Sequence, residues 1–160
     1  MKNIEYEYSI NVPSLEPYIN YCKEQGYNFI EESNQTRTLY RKPNGTMARI
    51  TNNEVNGVIK KLLDFKEDNW VEGQVLKQHK ESLPIEYTND EAINSILDFL
   101  EYKKDNTLIR KRYVFEKGKV KFELDEYTQP YNACVVGIEG EKVQVDKVYE
   151  EIRALNSDTV

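Results

Sequence analysis

Apolar and polar residues alternate along much of the chain, the mark of strands with two unlike faces. From residue 4 to 12, Ile4, Tyr6, Tyr8 and Ile10 share one side while Glu5, Glu7 and Ser9 share the other. From 119 to 126, Val120, Phe122 and Leu124 face one way, and Lys119, Lys121, Glu123 and Asp125 face the opposite way. From 135 to 141, Val136 and Ile138 oppose Gly137, Glu139 and Glu141. Further strands are predicted over 38–42, 47–51, 62–67, 75–81 and 108–115. They set Asp64 with Lys66, Lys77 with His79 and Glu81, and Arg110 with Arg112. Pro43-Asn44-Gly45 and Lys117-Gly118 are turn signals between neighbouring strands.

Three segments carry a helical period instead. Ser14 can cap a helix with Leu15, Tyr18, Ile19 and Cys22 on one face, stopped at Gly26. Thr88 with Glu91 makes a capping box ahead of a stripe formed by Ile93, Ile96, Leu97 and Leu100. Val145, Val148, Tyr149, Ile152 and Leu155 repeat the spacing near the C-terminus, with the last five residues expected to fray. Eight strands rich in hairpins and three helices predict an α+β fold. No repeat, low-complexity tract or linker divides the chain, so residues 1–160 read as one domain.

The second face of these strands is ionic rather than merely polar. Acids concentrate on the first strand and the last two, and bases on the strands between. An open antiparallel sheet would turn this face to water. A closed eight-stranded antiparallel β-barrel would turn it inward and could enclose a small ligand. Carboxylates would then offer hard oxygen ligands to Mg²⁺ or Mn²⁺, and Arg and Lys would clamp phosphate oxygens. Together they describe a site for a polyphosphate–metal complex.

Composition narrows the classes. At 160 residues and 39% hydrophobic, the chain can bury one sizeable core. Its net charge of −6 argues against a general binder of nucleic-acid duplexes. No apolar run approaches the length of a membrane span, and Met1-Lys2-Asn3-Ile4-Glu5 does not open a signal peptide. Cys22 and Cys134 form no metal or redox spacing, so a reduced, cytoplasmic protein is expected.

In order along the chain, several motifs resemble the CYTH superfamily, the triphosphate tunnel metalloenzymes. Glu5-Tyr6-Glu7-Tyr8-Ser9 stands where that family has Glu-x-Glu-x-Lys, and Cys22-Lys23-Glu24-Gln25-Gly26-Tyr27 resembles its helix ending in a Gly-aromatic turn. Tyr40-Arg41, Met47-Ala48-Arg49-Ile50-Thr51, Leu63-Asp64-Phe65-Lys66 and Lys77-Gln78-His79-Lys80-Glu81 follow its next four strands. Arg110-Lys111-Arg112-Tyr113 resembles its basic strand, and Phe122-Glu123-Leu124-Asp125-Glu126 its Glu-Leu-Asp strand. Val136-Gly137-Ile138-Glu139 falls where the family has Glu-x-Glu. The likeness runs from about residue 4 to about 152.

The resemblance implies a tunnel in which Glu5, Glu7, Glu123, Asp125 and Glu139 hold Mg²⁺ or Mn²⁺. Arg41, Arg49, Lys66, Lys77, Arg110, Arg112 and Lys121 would orient the phosphates. The expected activity is a metal-dependent phosphohydrolase acting on a nucleoside triphosphate, thiamine triphosphate or tripolyphosphate. The alternatives are an adenylyl cyclase making cyclic AMP from ATP, and a binding protein that sequesters a nucleotide or polyphosphate without turnover. The expected partner is a small triphosphate or nucleotide rather than a membrane, and a homodimer is left open.

Three departures fall on chemistry-bearing positions. Ser9 replaces the motif lysine, Thr51 replaces the second Arg of an Arg-x-Arg pair, and Gly137 replaces a late carboxylate for which Glu141 would be the substitute. These changes weaken phosphate clamping more than metal binding. His79, the single histidine, reads as structural, because no second His or Cys supports a zinc site. Cys22 and Cys134 read as packing residues, and Trp70 as part of a loop.

Overall fold

The computed structural model describes residues 3–72 and 76–157, with side chains taken from 5–69 and 76–155. The elements in order are β1 (Asn3–Val12), α1 (Glu16–Glu24), β2 (Asn28–Arg41), β3 (Met47–Val55), β4 (Val58–Glu72) and β5 (Leu76–Glu81). They continue with β6 (Ile85–Tyr87), α2 (Asp90–Phe99), β7 (Lys103–Lys117), β8 (Val120–Gln129), β9 (Ala133–Gly140) and α3 (Lys142–Ser157). Eight strands follow one another as β3-β2-β7-β8-β9-β1-β5-β4, and pairing of β3 with β4 closes them into an antiparallel barrel. The ninth, β6, lies outside the circuit and pairs with β4 at Lys61–Leu63. Long β4 makes this closure possible. Its first part pairs with β3 from Val58 to Lys66, and its second part pairs with β5 from Lys66 onward.

The barrel is inside-out relative to a globular core, for a physical reason. Phe122, Leu124, Val136 and Ile138 are each 0% exposed, on the outer wall, packed with residues of α1 and α3 such as Tyr18, Cys22, Val145 and Ile152. Each side chain removed from water there contributes about 1.5–3 kcal/mol. With a side-chain period of two, seating these residues under the helices forces Lys121, Glu123, Asp125, Gly137 and Glu139 into the lumen. A smaller apolar cluster of Ala48, Leu63, Leu97 and Tyr102 seats α2 on the far wall.

Several expectations are corrected. The predicted gap between 51 and 62 is a continuous hairpin, because Asn56 and Gly57 take positive φ of 51° and 80° and turn β3 directly into β4. Asn-Gly is the strongest short hairpin signal, and it lies in plain sight in the sequence. β2 and β7 also run well beyond 38–42 and 108–115. The α2 cap is Asn89, whose Oδ1 accepts from the Ala92 N–H at 3.0 Å, rather than Thr88. Only Leu97 of its stripe is fully buried, while Ile96 and Leu100 are exposed. Ser14 lies one residue before the α1 N-cap, Leu15, and its hydroxyl accepts from the Glu16 N–H at 3.2 Å. Trp70 belongs to β4 rather than to a loop, and its side chain lies outside the described ones. α3 runs through Ser157, taking in the first two of the five residues expected to fray. Residues 158–160 lie outside the described residues, as does Val75, with which the fifth predicted strand begins.

Candidate functional site

Because the pairing is in direct register, the inward side chains meet across strands as complementary couples. Arg49 opposes Asp64 across β3 and β4, and Lys66 opposes Glu81 across β4 and β5. Glu5 opposes His79, and Glu7 stands between Lys77 on β5 and Glu139 on β9. Lys121 opposes Glu139, and Arg112 opposes Asp125. All of these except Glu5 and His79 help wall a cavity of about 420 Å³ whose lining carries eight cationic and six acidic side chains. The lumen is thus net positive inside a chain of net charge −6.

The couples divide into tied and untied charges. Arg112 forks onto Asp125 with Nε and Nη2 at 2.7 and 2.8 Å, and its Nη1 also bonds Glu123. Burial opposes the Arg112 charge, but Glu123 and Asp125 outweigh it and hold its pKa well above the ordinary value. Burial likewise works against the Glu123 carboxylate, and Arg112 overrides it to hold the pKa well below the usual range. Arg49 is tied to Asp64 through Nε at 2.8 Å, and its guanidinium lies 3.4 Å from Glu81. Glu139 is the opposite case. Burial and the neighbouring Glu123 charge push it well above the carboxylate range.

Arg37 is untied. It sits opposite Thr51, and its Nε donates to the Thr51 hydroxyl at 2.9 Å. Among the described residues no carboxylate forms an ion pair with it. Burial, followed by Arg110, Arg49 and Arg112, lowers its pKa well below the ordinary guanidinium value. Arg110 donates to Gln35 and Tyr127 at 2.9 and 2.8 Å, yet its buried Nη2 has no acceptor. Strong donors crowded together without acceptors are what an anion site requires.

A second set of orphaned atoms marks the Glu5 end of the tunnel. Glu7 Oε2, Asp68 Oδ1 and both ring nitrogens of His79 are buried without hydrogen-bond partners. Glu5, His79 and Glu139 each bring a ligand atom within 4.8 Å of the other two. His79 is 1% exposed, with its pKa lowered by burial and then by Lys66, so it is a neutral imidazole at pH 7. Carboxylates gathered beside an unprotonated imidazole, with acceptors unsatisfied, fit a divalent cation.

The sequence-predicted residues distribute as follows. Glu7, Glu123, Asp125 and Glu139 line the main cavity, together with Arg41, Arg49, Lys66, Lys77, Arg110, Arg112 and Lys121. Glu5 lines a smaller cavity of about 210 Å³ that shares Lys121 and Glu139 with the main one. Arg41 stands at the wall with nearly half its side chain exposed, bonded to Asp105 at 2.6 Å. Both Asp125 oxygens are engaged by Arg112, and Arg110 lies 3.6 Å away, so Asp125 orients guanidiniums. Lys66 and Lys77 approach Glu7 at 3.7 and 3.8 Å. Glu141 does not replace the carboxylate lost at Gly137, because it lies beyond β9, exposed and bonded to Lys119 at 2.9 Å. Glu7 Oε1 instead occupies the space that Gly137 leaves, 3.4 Å from where a Cβ would stand.

Sequence reading missed Arg37, Asp64 and Glu81 as site residues. Arg37 fell just outside a strand predicted to start at residue 38, and extending the alternation back through Ser33, Gln35 and Arg37 would have found it. Asp64 and Glu81 had been placed on ionic faces without a role.

The barrel, its lumen and its flanking helices define the triphosphate tunnel fold. The sequence matches no family model and no curated protein. Solved structures carry the likeness. A conserved hypothetical protein of Pyrococcus furiosus superposes with TM-score 0.70 at 20% identity, over 93% of this chain and 88% of that one. An adenylyl cyclase candidate from Hippeastrum, described as having a dominant triphosphatase activity, gives 0.62 at 14% over 96% and 87%. A chain of the Mediator head module from Schizosaccharomyces pombe gives 0.66 at 10% over 95% and 96%. The fold agrees with the CYTH resemblance of the motifs, and it also serves in an assembly of another kind, so function has to be argued from the lumen.

Proposed function

We propose that the lumen binds a triphosphate with a divalent cation and hydrolyses it, as a metal-dependent phosphohydrolase. One observation carries the reading: in an acidic protein, the cavity gathers a surplus of cations, among them Arg37, with no carboxylate partner among the described residues, and Arg110, with an unsatisfied Nη2. Phosphate oxygens would supply the missing acceptors. Arg37, Arg110, Lys66 and Lys77 bind and orient the phosphate chain, Asp125 holds Arg112 in place, and Arg41 receives the substrate at the wall. Glu5, Glu7 and Glu139, with Glu123 adjoining, would hold the cation. Such a cation would supply Lewis-acid neutralisation of the charge on the phosphate oxygens. Positioning and electrostatics carry most phosphoryl-transfer catalysis, so no dedicated nucleophile is needed.

A second reading, capture without turnover, is favoured by a specific observation. Arg49 and Arg112 are already neutralised by Asp64 and by Glu123 with Asp125, and Gly137 withholds one carboxylate. The test is incubation with ATP, GTP, tripolyphosphate and thiamine triphosphate in Mg²⁺ or Mn²⁺, with products separated chromatographically. Orthophosphate with a diphosphate is the expected result. Cyclic AMP with pyrophosphate would show a cyclase, and a rise in Tm without product would show a binding protein. Glu5→Gln with Glu7→Gln should abolish turnover while the barrel survives, because Lys66 keeps Asp68 and Glu81 as partners and Lys77 keeps Asp68. Full activity in that double variant would overturn the assignment.

A further inference from the structure

His79 has no place in the phosphohydrolase reading, and its situation is unusual. The ring is 1% exposed, on the lumen face of β5, yet neither nitrogen forms a hydrogen bond. Its Nε2 lies 3.6 Å from Glu7 Oε2 and its Nδ1 3.5 Å from Glu81 Oε1, both too long to count as bonds. Buried imidazoles are normally satisfied. Here the unsatisfied ring stands directly across from Glu5 in the β1–β5 register, and Glu139 reaches the same point from β9 on the other side of β1. Ligand atoms of the three residues already lie within 4.8 Å of one another. Donors around a four-coordinate ion stand about 3.4 Å apart, so small side-chain rotations close the set. Glu7, with its own orphaned oxygen, adjoins it. The smaller cavity lined by Glu5, Lys121 and Glu139 gives an ion its approach from the barrel end.

We propose that Glu5, His79 and Glu139 form a mixed nitrogen–oxygen site for a first-row transition dication, such as Co²⁺ or Zn²⁺, in preference to Mg²⁺. Magnesium takes oxygen ligands in near-octahedral geometry and keeps several waters, whereas imidazole favours zinc, copper, iron and nickel. With one nitrogen on the ion, the other turns its N–H toward the nearby carboxylate, Glu81 across Nδ1 or Glu7 across Nε2. That is the outer-shell partner a metal-bound histidine requires. The inference deepens the metal part of the proposed function, but it needs no turnover to be true.

Metal-free full-length protein titrated with Co²⁺ alone tests it. The expected result is one equivalent bound, visible d–d absorption, and a strongly shifted exchangeable imidazole proton in the ¹H NMR spectrum. A hundredfold excess of Mg²⁺ should not displace the Co²⁺. H79Q should weaken Co²⁺ at least tenfold and lose the shifted proton. E5Q should weaken Co²⁺ but keep that proton, and it decides the matter should H79Q fail to fold. Equal Co²⁺ affinity in H79Q, absence of the imidazole signal in the wild type, or displacement by equimolar Mg²⁺ overturns the proposal. Tight Co²⁺ binding without any hydrolysis would retire the phosphohydrolase and leave this site. Hydrolysis in Mg²⁺ without Co²⁺ binding would do the reverse.

Discussion

Two arginines in one lumen should respond oppositely to the same substitution. Among the described residues Arg37 bonds Thr51 and pairs with no carboxylate, and it is crowded by Arg110, Arg49 and Arg112, whereas Arg112 neutralises Glu123 and Asp125. In R37Q the lost hydrogen bond costs about 1 kcal/mol, and relief of the crowding among guanidiniums offsets it, so folding stability should stay within about 1 kcal/mol of wild type. That is a Tm change of no more than about 4 °C at this length. Tripolyphosphate, however, loses a charge-assisted contact worth about 1.5–3 kcal/mol, which weakens binding by about 10- to 150-fold. R112Q strands two buried carboxylates, which costs about 3–5 kcal/mol and lowers Tm by roughly 6–20 °C. Calorimetric melting gives the first quantity, and isothermal titration with tripolyphosphate gives the second. If R37Q melts as early as R112Q while binding tripolyphosphate as well as the wild type, then Arg37 is a structural residue and the account of the cavity as an anion site fails.

Two further outcomes follow from named contacts. Tyr8 stacks on Tyr149 at 4.0 Å and donates to Asp146 at 2.6 Å; burial works against the Asp146 charge, but Tyr8 and Lys142 outweigh it and lower the pKa. The stability this gives is complete above the ordinary Asp value of about 4 and is lost as pH falls through the folded value, so the Tm gap between wild type and Y8F should narrow below about pH 4; a gap constant down to pH 2 would refute the linkage. Gly137→Glu would set another carboxylate beside Glu7 and Glu123, lowering Tm in EDTA but enlarging the rise on adding Mn²⁺. An unchanged metal response would show that position 137 does not face the ion.

The legible part of this chain was whatever repeats with period two. Charged second faces on β1, β8 and β9 are unambiguous in the sequence; alone they fit an open sheet as well as a closed barrel, and the order of the motifs is what selects the barrel with an ionic interior. Strand length was harder to read. β2 carries Ser33, Gln35 and Arg37 on its inward face, all of them polar, so their alternation with Asn34 and Thr36 has no hydrophobic contrast. Helix α2 was misjudged for a related reason. Its stripe is clean, but a short helix seated mainly through Leu97 leaves Ile96 and Leu100 in water, and the pattern alone does not reveal how much partner surface is present. His79 read as structural because a single sequence shows no partner for it. The partners, Glu5 and Glu139, come from strands 74 and 60 positions away and are brought together only by register.

Register also changes how the three departures from the CYTH motifs should be weighed. In a barrel, a charge belongs to a ring of neighbours rather than to its own strand. Thr51 has lost a cation, but the residue paired with it on β2 is Arg37, which points a guanidinium into the same cavity and uses the Thr51 hydroxyl as its anchor. Gly137 has lost a carboxylate, and Glu7 from the adjoining strand lies over the vacated space. Ser9 is paired with Gly137, so the positions at which the resembling motifs carry a first-strand lysine and a late carboxylate face each other across β1 and β9. With neither charge present at these facing positions, neither strand carries a buried ion left without its cross-strand partner. The lumen keeps a surplus of cations, and its unsatisfied carboxylate and imidazole atoms gather toward the Glu5 end. At that end Glu5, His79 and Glu139 bring ligand atoms within 4.8 Å of one another, with the unsatisfied Glu7 Oε2 3.6 Å from the His79 ring, which is why the Glu5→Gln, Glu7→Gln pair tests the cation site.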